Sequence, residues 1–232
     1  MQLSAILLAR VIALFEVADI TPPGGFFFPE LVKEVVQRFN FQKSPTNFEE
    51  WTSKEGTLFA SGRSGKVTID SLKLFRDGIQ LETHTGTAES KKIIEEMLEW
   101  GKEKFGFSFK EGFTIRWAYV SDLTFLTDVE ILSTPPLRNL AEQTTRAISE
   151  IVGTQLPYVP TMQTIGHDSL VLKHGRASLS IQRRLDVPFS DNKYFSEAPL
   201  PTDVHIKLLE QFEADVKATF GNKTTGVGGV RR

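Results

Sequence analysis

Hydrophobic positions change their period several times along this chain of 232 residues. Residues 3–17 are almost all apolar, interrupted by Arg10 and Glu16, and predict a long buried strand or core helix. Pro22-Pro23-Gly24-Gly25 ends that element. Phe26-Phe27-Phe28 follows, and Pro29 then stands in the first turn of a helix with Leu31, Val32, Val35, Val36 and Phe39 on one face. A polar loop over 42–54 leads to strands near 57–60, 66–75 and 79–84. Within 66–75 the apolar phase switches, because Val67 and Ile69 share one face while Leu72 and Leu74 fall on the other. Either a bulge near Asp70 or a strand buried on both faces accounts for that switch.

Helical periodicity returns over 88–105, with Thr87 as its expected cap and Ile94, Met97, Leu98, Gly101 and Phe105 as its stripe. The longest alternating run spans 115–131, with Ile115, Trp117, Tyr119, Leu123 and Phe125 on one parity and Arg116, Asp122, Thr124 and Asp128 on the other. It predicts a strand with one apolar and one wetter face, bent at Ser121-Asp122. Thr134-Pro135-Pro136 opens a helix carrying Leu137, Leu140, Ala141, Ile148 and Ile151, closed by Gly153 and Pro157. A second hairpin region covers 162–187, and Tyr194-Phe195 marks a short strand. Thr202-Asp203 starts a last helix with the stripe His205, Leu208, Leu209, Phe212, Val216 and Phe220.

Hairpins interleaved with helices predict an α+β fold with a mainly antiparallel sheet. The expected organisation is an N-terminal half over 1–132, a C-terminal half over 133–221 sharing one core with it, and a flexible Gly/Thr-rich tail over 222–232. One short pattern occurs twice. Asp70-Ser71-Leu72-Lys73-Leu74 before Gly78 returns 98 residues later as Asp168-Ser169-Leu170-Val171-Leu172 before Gly175, and each copy is followed by a helix stopping at Phe-Gly. Two β-hairpin-plus-helix units related as an internal repeat would produce this, and so would ordinary hairpin grammar, since Asp and Ser open strands and Gly closes turns.

Composition narrows the function classes. The net charge of −2 argues against a protein that coats nucleic acid or a membrane by bulk electrostatics. No apolar run is long enough to span a bilayer, so no membrane role is expected. The lack of cysteine removes disulfides, thiolate nucleophiles and Cys-based metal centres, and fits the reducing cytoplasm expected for this chain. With 18 Phe against three Tyr and three Trp, aromatic area is mostly core filler.

Common catalytic and cofactor signatures are missing. No phosphate loop or dinucleotide fingerprint is present, and no cofactor is expected. Ser61-Gly62-Arg63-Ser64-Gly65 lacks the spacing of a nucleophile elbow and reads as a hairpin turn. His84, His167, His174 and His205 have no metal-ligand spacing, and His205 reads as a packed core histidine. His167-Asp168 is the one candidate acid/base pair.

The positive signals concern contact. Three rings in a row at Phe26, Phe27 and Phe28 cannot all be buried on one face of an element, so one or two are expected at the surface. Arg183 falls on the apolar parity of Ala177, Leu179, Ile181, Leu185 and Val187. It therefore needs an internal carboxylate or an interface. The expected function is a non-catalytic assembly subunit or adaptor of a homo- or hetero-oligomeric complex, with a protein partner or self-association. A second reading is a nucleic-acid-binding or processing module built on Lys173, His174, Arg176, Arg183 and Arg184 with the tail residues Arg231 and Arg232. It is the less favoured one, because Asp168 and Asp186 dilute the patch. A third is an enzyme with no recognisable motif, using His167, Asp168 or His205.

Overall fold

The computed structural model describes residues 1–110, 112–168 and 178–220. In chain order the elements are β1 (Gln2–Leu14), α1 (Val17–Ile20), α2 (Phe28–Phe39), α3 (Phe48–Trp51), β2 (Thr57–Ser64), β3 (Val67–Phe75), β4 (Gly78–Thr83), α4 (Thr87–Phe105), β5 (Arg116–Leu126), α5 (Pro135–Val152), β6 (Met162–Ile165), β7 (Leu179–Arg183), β8 (Lys193–Ala198) and α6 (Thr202–Phe220). The strands are hydrogen-bonded in the order β2-β3-β4-β1-β5-β8-β7-β6. β1 with β4, β2 with β3, β3 with β4, β6 with β7, and β7 with β8 all run antiparallel. The fold is α+β with a mainly antiparallel sheet.

The chain divides into two compact units. One comprises 6–122 and 199–204; the other comprises 1–5, 123–198 and 205–232. In the first, β1 takes the strand form of the two open to the apolar N-terminal run. Ala9, Val11 and Ala13 are fully buried, and Arg10, Ile12 and Leu14 point to the wetter face. Arg10 lies opposite Glu82 in the β1–β4 ladder and donates from Nε to Oε1 at 2.6 Å. Gly78 opens β4 opposite Leu14 with φ +150°. A Cβ there would lie 2.1 Å from the Ala13 carbonyl oxygen, so no other residue fits this close approach.

The phase switch in β3 is a bulge. The β3–β4 register shifts between Ile69 and Ser71, which leaves Asp70 as the extra residue and lets both Ile69 and Leu72 reach the core. Against these strands α2 buries Leu31, Val32, Val35 and Phe39, and α4 buries Ile93, Ile94, Met97 and Leu98.

The expected cap of α4 differs from the observed one. The helix starts at Thr87 after Gly86 and has no local side-chain cap. Instead the Thr87 N–H donates to Thr202 Oγ1 at 3.1 Å, and the Thr202 N–H donates to Thr87 Oγ1 at 2.8 Å. The two threonines, at the first residues of α4 and α6, satisfy each other's orphan donors across 115 residues of chain.

In the second unit the buried groups include Leu123, Phe125, Ile131, Leu132, Ile181, Tyr194 and Leu209, with Phe125 stacked on Tyr194 at 5.7 Å between centroids. β7 presents Ile181 and Arg183 to the same side as Ser196 and Tyr194 of β8. On α6 the observed buried face is His205, Leu209, Glu213 and Val216. Leu208, expected on the stripe, is exposed because it falls one residue round the helix from Leu209. The second copy of the Asp-Ser-Leu pattern lies over 168–175, almost entirely outside the described residues.

Replacing either Thr87 or Thr202 by Val keeps the volume and removes an acceptor from a buried N–H. Each change is expected to cost about 1–3 kcal/mol, read as a lowered urea midpoint with an unchanged denaturant slope.

Candidate interaction surfaces

The Phe26–Phe28 run is split by its own geometry. Phe27 is the residue before α2, in extended conformation, and stands 70% exposed. Phe26 and Phe28 turn the other way and are half-buried. Phe26 meets Phe107 edge-on at 5.4 Å and lies 6.4 Å from Phe105, while Phe28 lies 6.5 Å from Trp51. Thus one ring of three is presented outward.

Around these rings lies a groove of about 1420 Å³, walled by the 16–29 segment, α3 with the turn after it, and the β3–β4 turn at Phe75-Arg76-Asp77. Phe48 on α3 is also 70% exposed at its edge. Asn47 caps α3, its Oδ1 accepting from the Glu50 N–H at 3.0 Å, which sets Phe48 and Trp51 on that short helix. Gly56 has φ +88°, and a Cβ there would sit 2.7 Å from the Phe75 ring, so this glycine makes room for one wall of the groove.

Arg183 is taken up inside its unit. It is 5% exposed, pairs with Glu130, donates from Nε to the Pro160 carbonyl at 3.1 Å and from Nη1 to the Phe189 carbonyl at 3.1 Å. Its guanidinium also lies 5.1 Å from the Phe189 ring centroid and 5.6 Å from that of Tyr194. This is the arrangement that a buried guanidinium requires: a counter-charge, two carbonyls and two aromatic faces. Burial pushes the Tyr194 hydroxyl pKa up, opposed in part by the Arg183 charge.

Of the basic cluster, Arg183 and Arg184 alone fall among the described residues. Arg184 forms a fork to Asp186 at 2.8 and 2.7 Å, which holds the Asp186 carboxyl down at about 2. Lys173, His174, Arg176, Arg231 and Arg232 lie outside the described residues.

The candidate acid/base residues are scattered. His205 is fully buried, with Nε2 2.8 Å from Ser196 Oγ, in the packed position expected for it. His167 and Asp168 are exposed on the segment after β6. His84 instead meets the bulge residue Asp70 at 2.9 Å. Among the described residues no group of His, Asp and Glu is placed to hold a metal ion, and no helix is long and apolar enough to cross a membrane. The turn expected over 61–65 is mostly strand, because Ser61–Ser64 finish β2 and only Gly65-Lys66 make the turn to β3.

The largest departure from expectation concerns α5. Its apolar stripe looks like that of α2, yet none of its residues is buried. Leu140 and Val152 are exposed and Ile151 is 82% exposed. The chain then folds back along the helix: the Tyr158 N–H donates to Thr145 Oγ1 at 2.8 Å and the Leu156 N–H to Ser149 Oγ at 3.4 Å. Leu156, Tyr158 and Val159 are thereby held exposed beside α5, and β6 follows with Met162 and Ile165 exposed. β6 pairs with β7 on one side and ends the strand order on the other. A helix, a return segment and an edge strand, all from a single stretch of sequence, thus carry exposed apolar residues, with Met162 and Ile165 on opposite faces of β6. The amphipathic period of 137–151 announced such a face; nothing in it said that Leu137, Ala141 and Ile148 would be only half-buried and Leu140 and Ile151 exposed.

No known protein-family signature matches the chain, and no curated protein matches it in sequence.

Arg183→Leu strands Glu130 and two carbonyls, and is expected to cost about 2–3 kcal/mol, less than a fully buried pair because Glu130 keeps some solvent. Phe27→Ser removes only exposed area and should stay within about 0.5 kcal/mol of the parent. Urea denaturation of the two variants side by side checks both values.

Proposed function

We propose that this protein works by assembly, as a non-catalytic subunit whose first partner is a second copy of itself. The observation that carries the reading is the apolar area that α5 and the 154–159 segment folded back along it leave exposed among the described residues, followed in sequence by the edge strand β6. Monomeric proteins rarely leave such contiguous apolar area in water. Among the described residues, Leu140, Ile151, Val152, Leu156, Tyr158 and Val159 are exposed on α5 and on the segment folded back along it, apolar area of the kind an interface covers.

A second copy fits this surface better than an unrelated chain for three reasons. The edge strand Met162-Gln163-Thr164-Ile165, though short, carries no charge and no proline, so it offers its outer backbone groups without two of the devices that blunt an edge. An antiparallel β6–β6 pairing is isologous by construction, the symmetry that most homodimers use. The polar residues bordering the α5 stripe carry both signs, Arg138 and Arg146 with Glu142 and Glu150, so two copies meet with balanced charge. The same surface serves hetero-assembly where another chain supplies an equivalent edge and helix.

Native mass spectrometry of the full chain at tens of micromolar should give a dimer. Leu140→Glu combined with Ile151→Glu should give a monomer with an unchanged circular dichroism spectrum, since both side chains are exposed. A parent protein that is monomeric under these conditions overturns the reading.

A further inference from the structure

We infer that the aromatic groove of the first unit is a binding site for a small amphiphile with a straight aliphatic chain. Next to the groove lies a smaller, partly open inner space of about 80 Å³. Val17, Phe26, Phe28, Leu74 and Phe75 wall both, so the groove and the inner space are separated only by these side chains. Every residue lining the inner space is apolar, Met97, Trp100 and Phe107 among them. A slot of that chemistry offers water few hydrogen-bond partners and so favours an apolar guest. Its size admits a few methylenes rather than a large ring system.

The outer groove has a different composition. Its walls are aromatic, but its rim carries Lys54 and Arg76 alongside Glu16 and Asp77. Two cations and two carboxylates leave the rim without net charge, so it favours an uncharged polar end over an ion. The assignment therefore follows the usual construction of ligand sites, a mainly apolar concavity with a few polar groups at one end. The ligand's chain enters between Phe26 and Phe75, fills the inner space, and leaves its polar end at the rim. Half-buried side chains rather than backbone line the wall shared by the two spaces, so rotamer changes alone can widen the passage. This site lies in the unit opposite to the assembly surface and does not depend on it.

Two tryptophans make the site observable, because Trp51 walls the groove and Trp100 walls the inner space. The test is a titration of the full chain carrying Leu140→Glu and Ile151→Glu with 1-butanol through 1-decanol, followed by tryptophan fluorescence. Saturable binding is expected, tightening about fourfold for each added methylene until the inner space is full and levelling off beyond that length. Val17→Phe narrows the shared wall and should remove the length dependence. The parent ladder stands as a test even where that variant fails to fold. An absence of saturable binding overturns the proposal. So does an affinity that climbs evenly through decanol, which is partition onto exposed apolar surface.

Discussion

The alternation of β1 is the constraint on which the first unit depends. Ala9, Val11 and Ala13 carry small side chains that allow the helices above to approach, while Arg10 on the opposite parity is held by Glu82. A slip of one residue would place the guanidinium beneath α4 and turn the small residues to the outer face. Two local features oppose the slip. The Arg10–Glu82 pair joins directly opposed residues, and Gly78 meets Ala13 so closely that only a residue without a side chain can occupy that rung. The bulge at Asp70 then passes the correct phase to β3, so that Ile69 and Leu72 both reach the core.

Much of this was legible in the chain. Pro29 and the stripe ending at Phe39 mark α2, the phase switch marks the bulge, and Gly153 closes α5 in the left-handed conformation, as its position implies. The reason is that each of these depends on neighbours a few residues away. What could not be read were relations between distant segments. The stripes of α2 and α5 are similar in kind, but only α2 finds strands to cover it. The groove is assembled from residues near positions 20, 50 and 75, none of which signals the others. Arg183 was legible as a residue in need of a partner, whereas Glu130, 53 residues earlier, was not legible as that partner.

The two units distribute their apolar area in opposite ways. The first folds its rings around a groove and an inner space, so its aromatic surplus is concave. The second leaves a helix face, a return segment and a strand edge projecting, so its surplus is convex or flat. Concave apolar area suits small ligands and extended apolar area suits a protein surface.

The lengths and spacing of four elements coincide. β4 and β8 are both six residues long, α4 and α6 are both nineteen, and in each case the second begins 115 positions after the first. The mutual bond between Thr87 and Thr202 spans the same interval. Residues 199–204 therefore complete a unit whose other residues all precede 123. During synthesis the first 122 residues leave the ribosome with the start of α4 still lacking its acceptor. That unit can close only after some eighty further residues have followed, so the order of synthesis and the order of completion are not the same.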